Sequence, residues 1–304
     1  MNKKNNDPHS AHYFNDARDF WWNSDFLQLM ANRLCLQDAQ TMLDVGCGLG
    51  HWGLLLLPFL HPEARLMGVE PEKKWRVEAK ARAKHYHVEG KASFVEGTAE
   101  NLPFADDSFD VVTCQTLLIH VENPMAALLE MKRVLKPGGL LLTSEPNNLV
   151  QQILLDSVHC NSSIEETTSL FKFQLTCERG KAIINEGSNL IGDLLPYLFS
   201  EAKLQDIQCY LSDMADFYIP PYQSPRQKAG IESLKDSISK GYYVWSKEET
   251  ERFYLAGGGT PAEFIEHWKL IENRGQEYLK AIQNNQYYTS GGIMHYLTSG
   301  RKNL

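Results

Sequence analysis

The stretch Met42-Leu43-Asp44-Val45-Gly46-Cys47-Gly48-Leu49-Gly50 puts an acid near the end of an apolar run and three alternating glycines directly after it. Glycine accepts backbone angles closed to other residues, so such a run turns sharply and lies against a ligand without side chains in the way. Gly48-Leu49-Gly50-His51-Trp52-Gly53 also fits the GxGxxG pattern, and on fold grounds alone an NAD-dependent oxidoreductase is the competing reading. Asp44 separates the two, because a carboxylate two residues before the first glycine repels a pyrophosphate and attracts an ammonium group. The plainer alternative is an aspartate that only caps amides of its own turn.

Other residue types capable of chemistry are sparse. His120 is the candidate proton acceptor, since it falls in the loop after the fourth apolar run and imidazole titrates near neutral pH. The alternative is a histidine that only shapes that loop or touches a cofactor. His295 reads as packing. His85 and His87 flank Tyr86 without carboxylate or thiol neighbours at ligand spacing, so no metal site is expected.

The elements that must position these residues follow from periodicity. Five short apolar runs, TMLDVG, RLMGVE, ASFVEG, FDVVTC and GLLLTS, alternate with amphipathic stretches between residues 41 and 147, the signature of a parallel sheet covered on both faces. Helices are expected over 50–60, 73–87 and 124–135, the last with Asn123 as N-cap and Pro124 in its first turn. Lys136-Pro137-Gly138-Gly139 ends that helix and turns the chain into the next strand. One or two helices are expected within 13–34, a helical segment within 149–172 and an amphipathic helix over 187–204 leading into the strand-like IQCYLSDM. Ser246/Glu249 and Thr260/Glu263 have the spacing of capping boxes and mark two further helix starts. The alternating QYYTSGGIMHYLTSGRK at the end reads as a last, antiparallel edge strand. The fold class is therefore α/β: a doubly wound, mostly parallel sheet with an antiparallel last strand and helical C-terminal insertions. The expected divisions are an N-terminal helical cap over 1–40, a ligand-binding core over 41–150, and a remainder, 151–304, that completes the sheet and carries a helical lid over about 220–286.

Composition narrows the function classes. The chain has 304 residues, 43% of them hydrophobic and 22% charged, enough to bury a real core. A net charge of −8 argues against a general grip on nucleic-acid backbones, which rests on clustered Lys and Arg. The six cysteines are scattered with no CxxC pair, which suggests a reducing compartment. The polar start and the lack of any window near the ~20 apolar residues of a spanning helix suggest a cytoplasmic protein without a membrane partner.

DVGCGLG resembles the first motif of class I S-adenosylmethionine-dependent methyltransferases, and three further segments match that family in order and spacing: LMGVEPEKKW, FVEGTAENLPFADDSFDVVTC and QTLLIHVENPMAALLEMKRVLKPGGLLLTSEPN. The match spans residues 42–147 and is most similar to the methyltransferases of ubiquinone and menaquinone biosynthesis. It implies a Rossmann-like fold with S-adenosyl-L-methionine as cofactor. It places Asp44, Gly46, Cys47, Gly48 and Gly50 around the methionine part, and Glu70, followed by Pro71, at the ribose hydroxyls. Thr98, Ala99 and Glu100 then run along the adenine edge, and Gln115 and Leu117 lie near the methionine end. Thr98 stands where the family often has aspartate. Arg18 is a candidate for the cofactor carboxylate, or else a solvated surface arginine.

Methyl transfer in line to a small-molecule acceptor is the implied activity. A protein or RNA methyltransferase and a non-catalytic S-adenosylmethionine-binding protein are the alternatives. Tyr13, Trp21 and Trp22 together with Phe217 to Tyr222 are expected to line the acceptor pocket, because rings offer apolar area and a π face. Ala256-Gly257-Gly258-Gly259 is expected to act as a flexible joint of the lid. Nothing in the pattern sets the acceptor atom or the oligomeric state.

Overall fold

The structure, a computed structural model, describes residues 18, 20–150, 155–213, 215, 217–291 and 294–304. Their elements form two compact units. The first is drawn from Trp22–Asn148, Asn185–Asp213 and Met294–Leu304 and holds the sheet; the second is drawn from Met1–Trp21, Leu149–Ile184 and Met214–Ile293 and is helical.

In the sheet unit the five apolar runs are strands β1 (Thr41–Val45), β2 (Arg65–Val69), β3 (Ala92–Val95), β4 (Phe109–Gln115) and β5 (Leu135–Pro146), joined later by β6 (Gln205–Leu211) and β7 (His295–Arg301). Their spatial order is β3-β2-β1-β4-β5-β7-β6. All neighbours from β3 to β5 are parallel and β7 is antiparallel to both β5 and β6. The order reverses between β1 and β4, and ligands of open α/β sheets bind beyond the carboxyl ends of the strands at such a reversal.

β7 is antiparallel as its position suggested, but it is not the edge. It is hydrogen-bonded on both sides, with Leu297, Thr298, Ser299 and Gly300 buried, while β6 is largely exposed and forms the border. Chain order does not reveal spatial order, and the alternating pattern of a half-buried strand suits either place.

Helices α1 (Ser24–Leu34), α2 (His51–Leu56), α3 (Lys73–His85), α4 (Pro124–Val134) and α6 (Leu195–Glu201) belong to this unit. Asn123 caps α4 as expected, its side chain accepting from the Ala126 amide. Two helices are shorter than periodicity suggests. α2 gives way to a 3-10 turn at Leu57–Phe59, where Pro58 cannot donate, and Pro196 confines the 187–204 segment to a 3-10 turn at Ile191–Leu194 followed by α6. One large apolar cluster packs Leu43, Val45, Val112 and Leu141 of the sheet against Leu128 and Met131 of α4 and Phe199 of α6.

The helical unit contains α5 (Ile164–Ile183), α7 (Pro225–Ser239), α8 (Lys247–Ala256) and α9 (Pro261–Gln283). Both capping boxes form, with Ser246 and Glu249 at α8 and Thr260 and Glu263 at α9. Of the glycines expected to form a loose joint, Gly258 (φ +97°) faces open space, but Gly257 and Gly259 are close-packed: a Cβ on Gly257 would collide with the Thr176 carbonyl and one on Gly259 with the Tyr254 ring, as one on Gly180 of α5 would with the Phe253 carbonyl. They let α5 and α8 approach closely around Phe173, Cys177, Trp245 and Phe253. No helix among the described residues is long and apolar enough to cross a membrane.

Candidate functional site

The glycine turn is built by backbone angles that only glycine takes without strain: φ is +65° at Gly46, +51° at Gly48 and +76° at Gly50. Gly46 has a second constraint, since a Cβ there would stand 2.5 Å from Cδ1 of Leu117. The turn is therefore closed from above by the loop that follows β4.

Asp44, 1% exposed, accepts the Gly53 amide on Oδ2 at 2.9 Å. Glu70 directly follows β2 and is also buried; its Oε2 accepts the Gly48 amide at 3.1 Å and its Oε1 the Glu72 amide at 3.0 Å. Burial raises the Glu70 carboxyl above its ordinary value, and the two amides oppose that shift. Arg76 fixes the corner behind it, donating to the carbonyls of Glu70 and Pro71 at 2.6 Å each.

This hydrogen-bonding decides between the two readings of the glycine pattern. The Cys47 amide donates to the Val69 carbonyl, Gly48 to Glu70, Gly50 to the Cys47 carbonyl and Gly53 to Asp44. Four amides of the turn and the helix behind it are already used, two of them by carboxylates whose charge a phosphate would meet at close range. The turn therefore suits a cation better than a dinucleotide pyrophosphate.

Four strand ends bring the expected residues to one edge of the sheet. Asp44 lies at the end of β1, just before Val45, and Gly46 to Gly50 follow that strand; Glu70 and Pro71 follow β2, Thr98 to Glu100 follow β3, and Gln115 to His120 end and follow β4. Ala99 is buried, while Thr98 and Glu100 are exposed on either side of it. Gln115 is 8% exposed and its Nε2 has no hydrogen-bond partner within the protein. A buried, unsatisfied amide is costly, so its place at the strand end suits a ligand with an acceptor atom. That donor, the acids at Asp44 and Glu70, and the glycine turn together fit a ligand carrying an ammonium, a carboxylate and a sugar diol, as S-adenosylmethionine does.

Beyond Gln115 the loop turns at Thr116 (φ +50°), whose amide donates to the Ser144 carbonyl, and the His120 amide donates to the Leu117 carbonyl. Arg18 lies in the helical unit with its guanidinium 4.7 Å above the Trp21 ring centroid. Trp22 belongs to the sheet unit, where its ring stands 5.1 Å from that of Trp52 and 5.8 Å from that of His295, centroid to centroid. Phe217 and Tyr222 lie in the helical unit, with Tyr222 in a small buried cluster and its hydroxyl donating to the Tyr287 carbonyl. Tyr13 lies outside the described residues.

Two participants were not singled out from sequence. Trp52 in α2 donates from Nε1 to Thr113 Oγ1 at 2.7 Å, and Thr113 donates onward to the Leu142 carbonyl at 2.6 Å, tying the helix after the glycine turn to β4 and β5. Glu145 is fully buried at the end of β5. Its signal was present, because β1, β2 and β5 each bring an apolar run to an acid at or beside the carboxyl end.

Residues 43–143 match a family described as "Methyltransferase domain". The demethylmenaquinone methyltransferase of Geobacillus stearothermophilus is 35% identical over 148 residues, 45% of this chain and 60% of that protein. The uncharacterised methyltransferase YcgJ of Bacillus subtilis is 35% identical over 133 residues, 44% of this chain and 51% of that one. The chain thus spans about half the length of the curated relatives it matches. The solved structure of YcgJ aligns with 93% of this chain and 100% of its own at a TM-score of 0.50 and 22% identity, which shows a shared fold. The structure of the [4+2]-cyclase SpnF reaches the same TM-score at 16% identity over 92% of this chain and 81% of its own, so the fold by itself does not select a reaction.

Proposed function

We propose that this chain, whose residues 43–143 match a methyltransferase domain, is a class I methyltransferase and moves the methyl group of S-adenosyl-L-methionine to a small-molecule acceptor by in-line displacement. The observation that carries the reading is the pair of buried carboxylates at the glycine turn. Asp44 meets the ammonium of the cofactor, Glu70 takes the ribose hydroxyls, Gln115 supplies a donor at the methionine end, and Ala99 lies along the adenine edge.

The cofactor supplies a methyl on a sulfonium, already electrophilic, so what the protein adds is alignment, exclusion of water and, for a protonated acceptor, a base. The turn at Gly46 and the Leu117 side chain hold the methionine end in place. His120 takes the acceptor proton from the same loop. Trp22, in the sheet unit, is assigned to the acceptor.

A small acceptor is favoured by the name of the demethylmenaquinone methyltransferase relatives and by the acidic balance of the chain, −8, which suits RNA poorly. The test is to give the purified protein S-adenosylmethionine with a metabolite pool and follow release of S-adenosylhomocysteine. Turnover with small molecules supports the proposal. Binding without turnover points instead to a protein that only holds the cofactor, and turnover with RNA or protein alone replaces the acceptor class.

A further inference from the structure

Glu145 is the one fully buried acid of the sheet unit that the reading above leaves unused. Its Oε1 accepts the amides of both Leu117 and Leu118 at 2.9 Å, and the Cys114 thiol donates to the same oxygen at 3.6 Å. Its Oε2 is buried without a partner. Burial pushes the Glu145 carboxyl up to about 7, against the pull of the loop amides, so ionising it costs the fold stability.

What that carboxylate controls is the loop after β4. The Leu117 amide is held by Glu145 while the Leu117 side chain presses on Gly46, and the Leu117 carbonyl accepts the His120 amide. One oxygen thus sets both the closure over the glycine turn and the place where His120 begins. We propose that Glu145 is a positioning residue for methyl transfer, gathering the Leu117 and Leu118 amides so that the loop closes over the methionine end and presents His120 to the acceptor. This rests on the functional reading above.

The groups that face or adjoin Glu145 are few. β4 gives the Cys114 thiol, which burial keeps protonated well above neutral pH; β1 gives Asp44, whose charge acts on the same thiol; and the loop itself gives His120. β7 gives Tyr296, in register with Glu145 and also raised by burial, with Asp193 hydrogen-bonded to it from the Ile191–Leu194 turn. His120 and, on β7, the buried His295, whose Nδ1 lies 3.4 Å from Ser144 Oγ beside Glu145, share the neutral range with it by residue type; a His120→Gln background removes the first, and His295 is common to both arms of the comparison.

The linkage sign is opposite for fold and for function. A carboxyl raised in the folded state stabilises the fold below its unfolded value near 4.5, and that stability is lost as pH rises through about 7. The loop amides, in contrast, are held best by the ionised form.

The test compares His120→Gln, the parent, with the double variant carrying Glu145→Gln as well, by hydrogen exchange of the loop amides, thermal melting and titration with S-adenosylhomocysteine from pH 6 to 8. The expected result at pH 8 is a variant that melts no lower than its parent, exchanges its Leu117 and Leu118 amides about tenfold faster after correction for intrinsic rates, and binds S-adenosylhomocysteine about tenfold more weakly. The parent's affinity should fall as pH drops through about 7, with the variant flat. A merely structural Glu145 gives the opposite: melting temperature and affinity fall together and the two pH curves run parallel. Unchanged exchange at Leu117 and Leu118 also overturns the proposal. If the parent binds no S-adenosylhomocysteine at any pH, the cofactor assignment fails, while the exchange experiment, which needs no ligand, still decides whether Glu145 holds the loop.

Discussion

Asp44→Asn is the substitution that separates the two roles open to this acid. Asparagine keeps the shape and one acceptor oxygen, so it can still receive the Gly53 amide that Asp44 Oδ2 now accepts at 2.9 Å. The change from a charged to a neutral acceptor should cost about 1 kcal/mol of stability. The ligand loses more. Opposite unit charges about 4 Å apart are worth about 4 kcal/mol at an effective dielectric of 20 and about 1 kcal/mol in water. At 1% exposure Asp44 lies nearer the first limit, and desolvation of the incoming ammonium offsets part of the gain. A net loss of about 2 kcal/mol, roughly thirtyfold in affinity, is expected for S-adenosylhomocysteine. The assay is calorimetric titration with S-adenosylhomocysteine and, in parallel, with 5′-methylthioadenosine, which has the same base and sugar but no ammonium. Only the first should weaken. Equal weakening of both ligands, or of neither, in a variant that melts cooperatively would refute the charge argument and leave Asp44 as a cap alone.

Three further outcomes are expected. Trp52→Phe removes the donor to Thr113 and should lower stability by about 1–2 kcal/mol, read as a lower urea midpoint at unchanged slope. Gly180→Val has no room against the Phe253 carbonyl and should cost the helical unit more than about 2 kcal/mol, seen as an earlier melting transition; an unchanged melt contradicts the close crossing of α5 and α8. His120→Gln should cut turnover about a hundredfold while S-adenosylhomocysteine affinity stays within about threefold, and a parallel loss of both assigns His120 to cofactor binding instead.

The strands from β1 to β5 were legible because a parallel sheet buried on both faces demands continuous apolar runs, and the glycine turn because alternating glycines straight after a strand mark a sharp turn against a ligand, with Asp44 separating it from the dinucleotide pattern. The capping boxes at Ser246 and Thr260 were legible for a local reason, since three residues decide them. Three features were not. The place of β7 inside the sheet depends on which strand pairs with which, and alternation along one strand carries no such information. Gly257 and Gly259 were read as a hinge because a glycine run looks the same whether it loosens a joint or admits a neighbour, and only the Thr176 carbonyl and the Tyr254 ring show that it admits one. Glu145 reaches the Leu117 and Leu118 amides because β4 and β5 lie side by side with Gln115 opposite Ser144, a register set by long-range pairing. At the site, sequence named Asp44, Glu70 and Gln115; the structure added that the Gly48 and Gly53 amides are held by those two carboxylates, whose charge opposes a phosphate.

The measurement that bears most directly on the central claim is a pair of titrations of the intact chain, one with S-adenosylhomocysteine and one with NADH, repeated on Glu70→Ala. The account predicts saturable one-to-one binding of S-adenosylhomocysteine, weakened by about tenfold or more in the variant, and no heat from NADH. Binding of NADH without S-adenosylhomocysteine, or an affinity for S-adenosylhomocysteine indifferent to the loss of Glu70 in a folded protein, would contradict it.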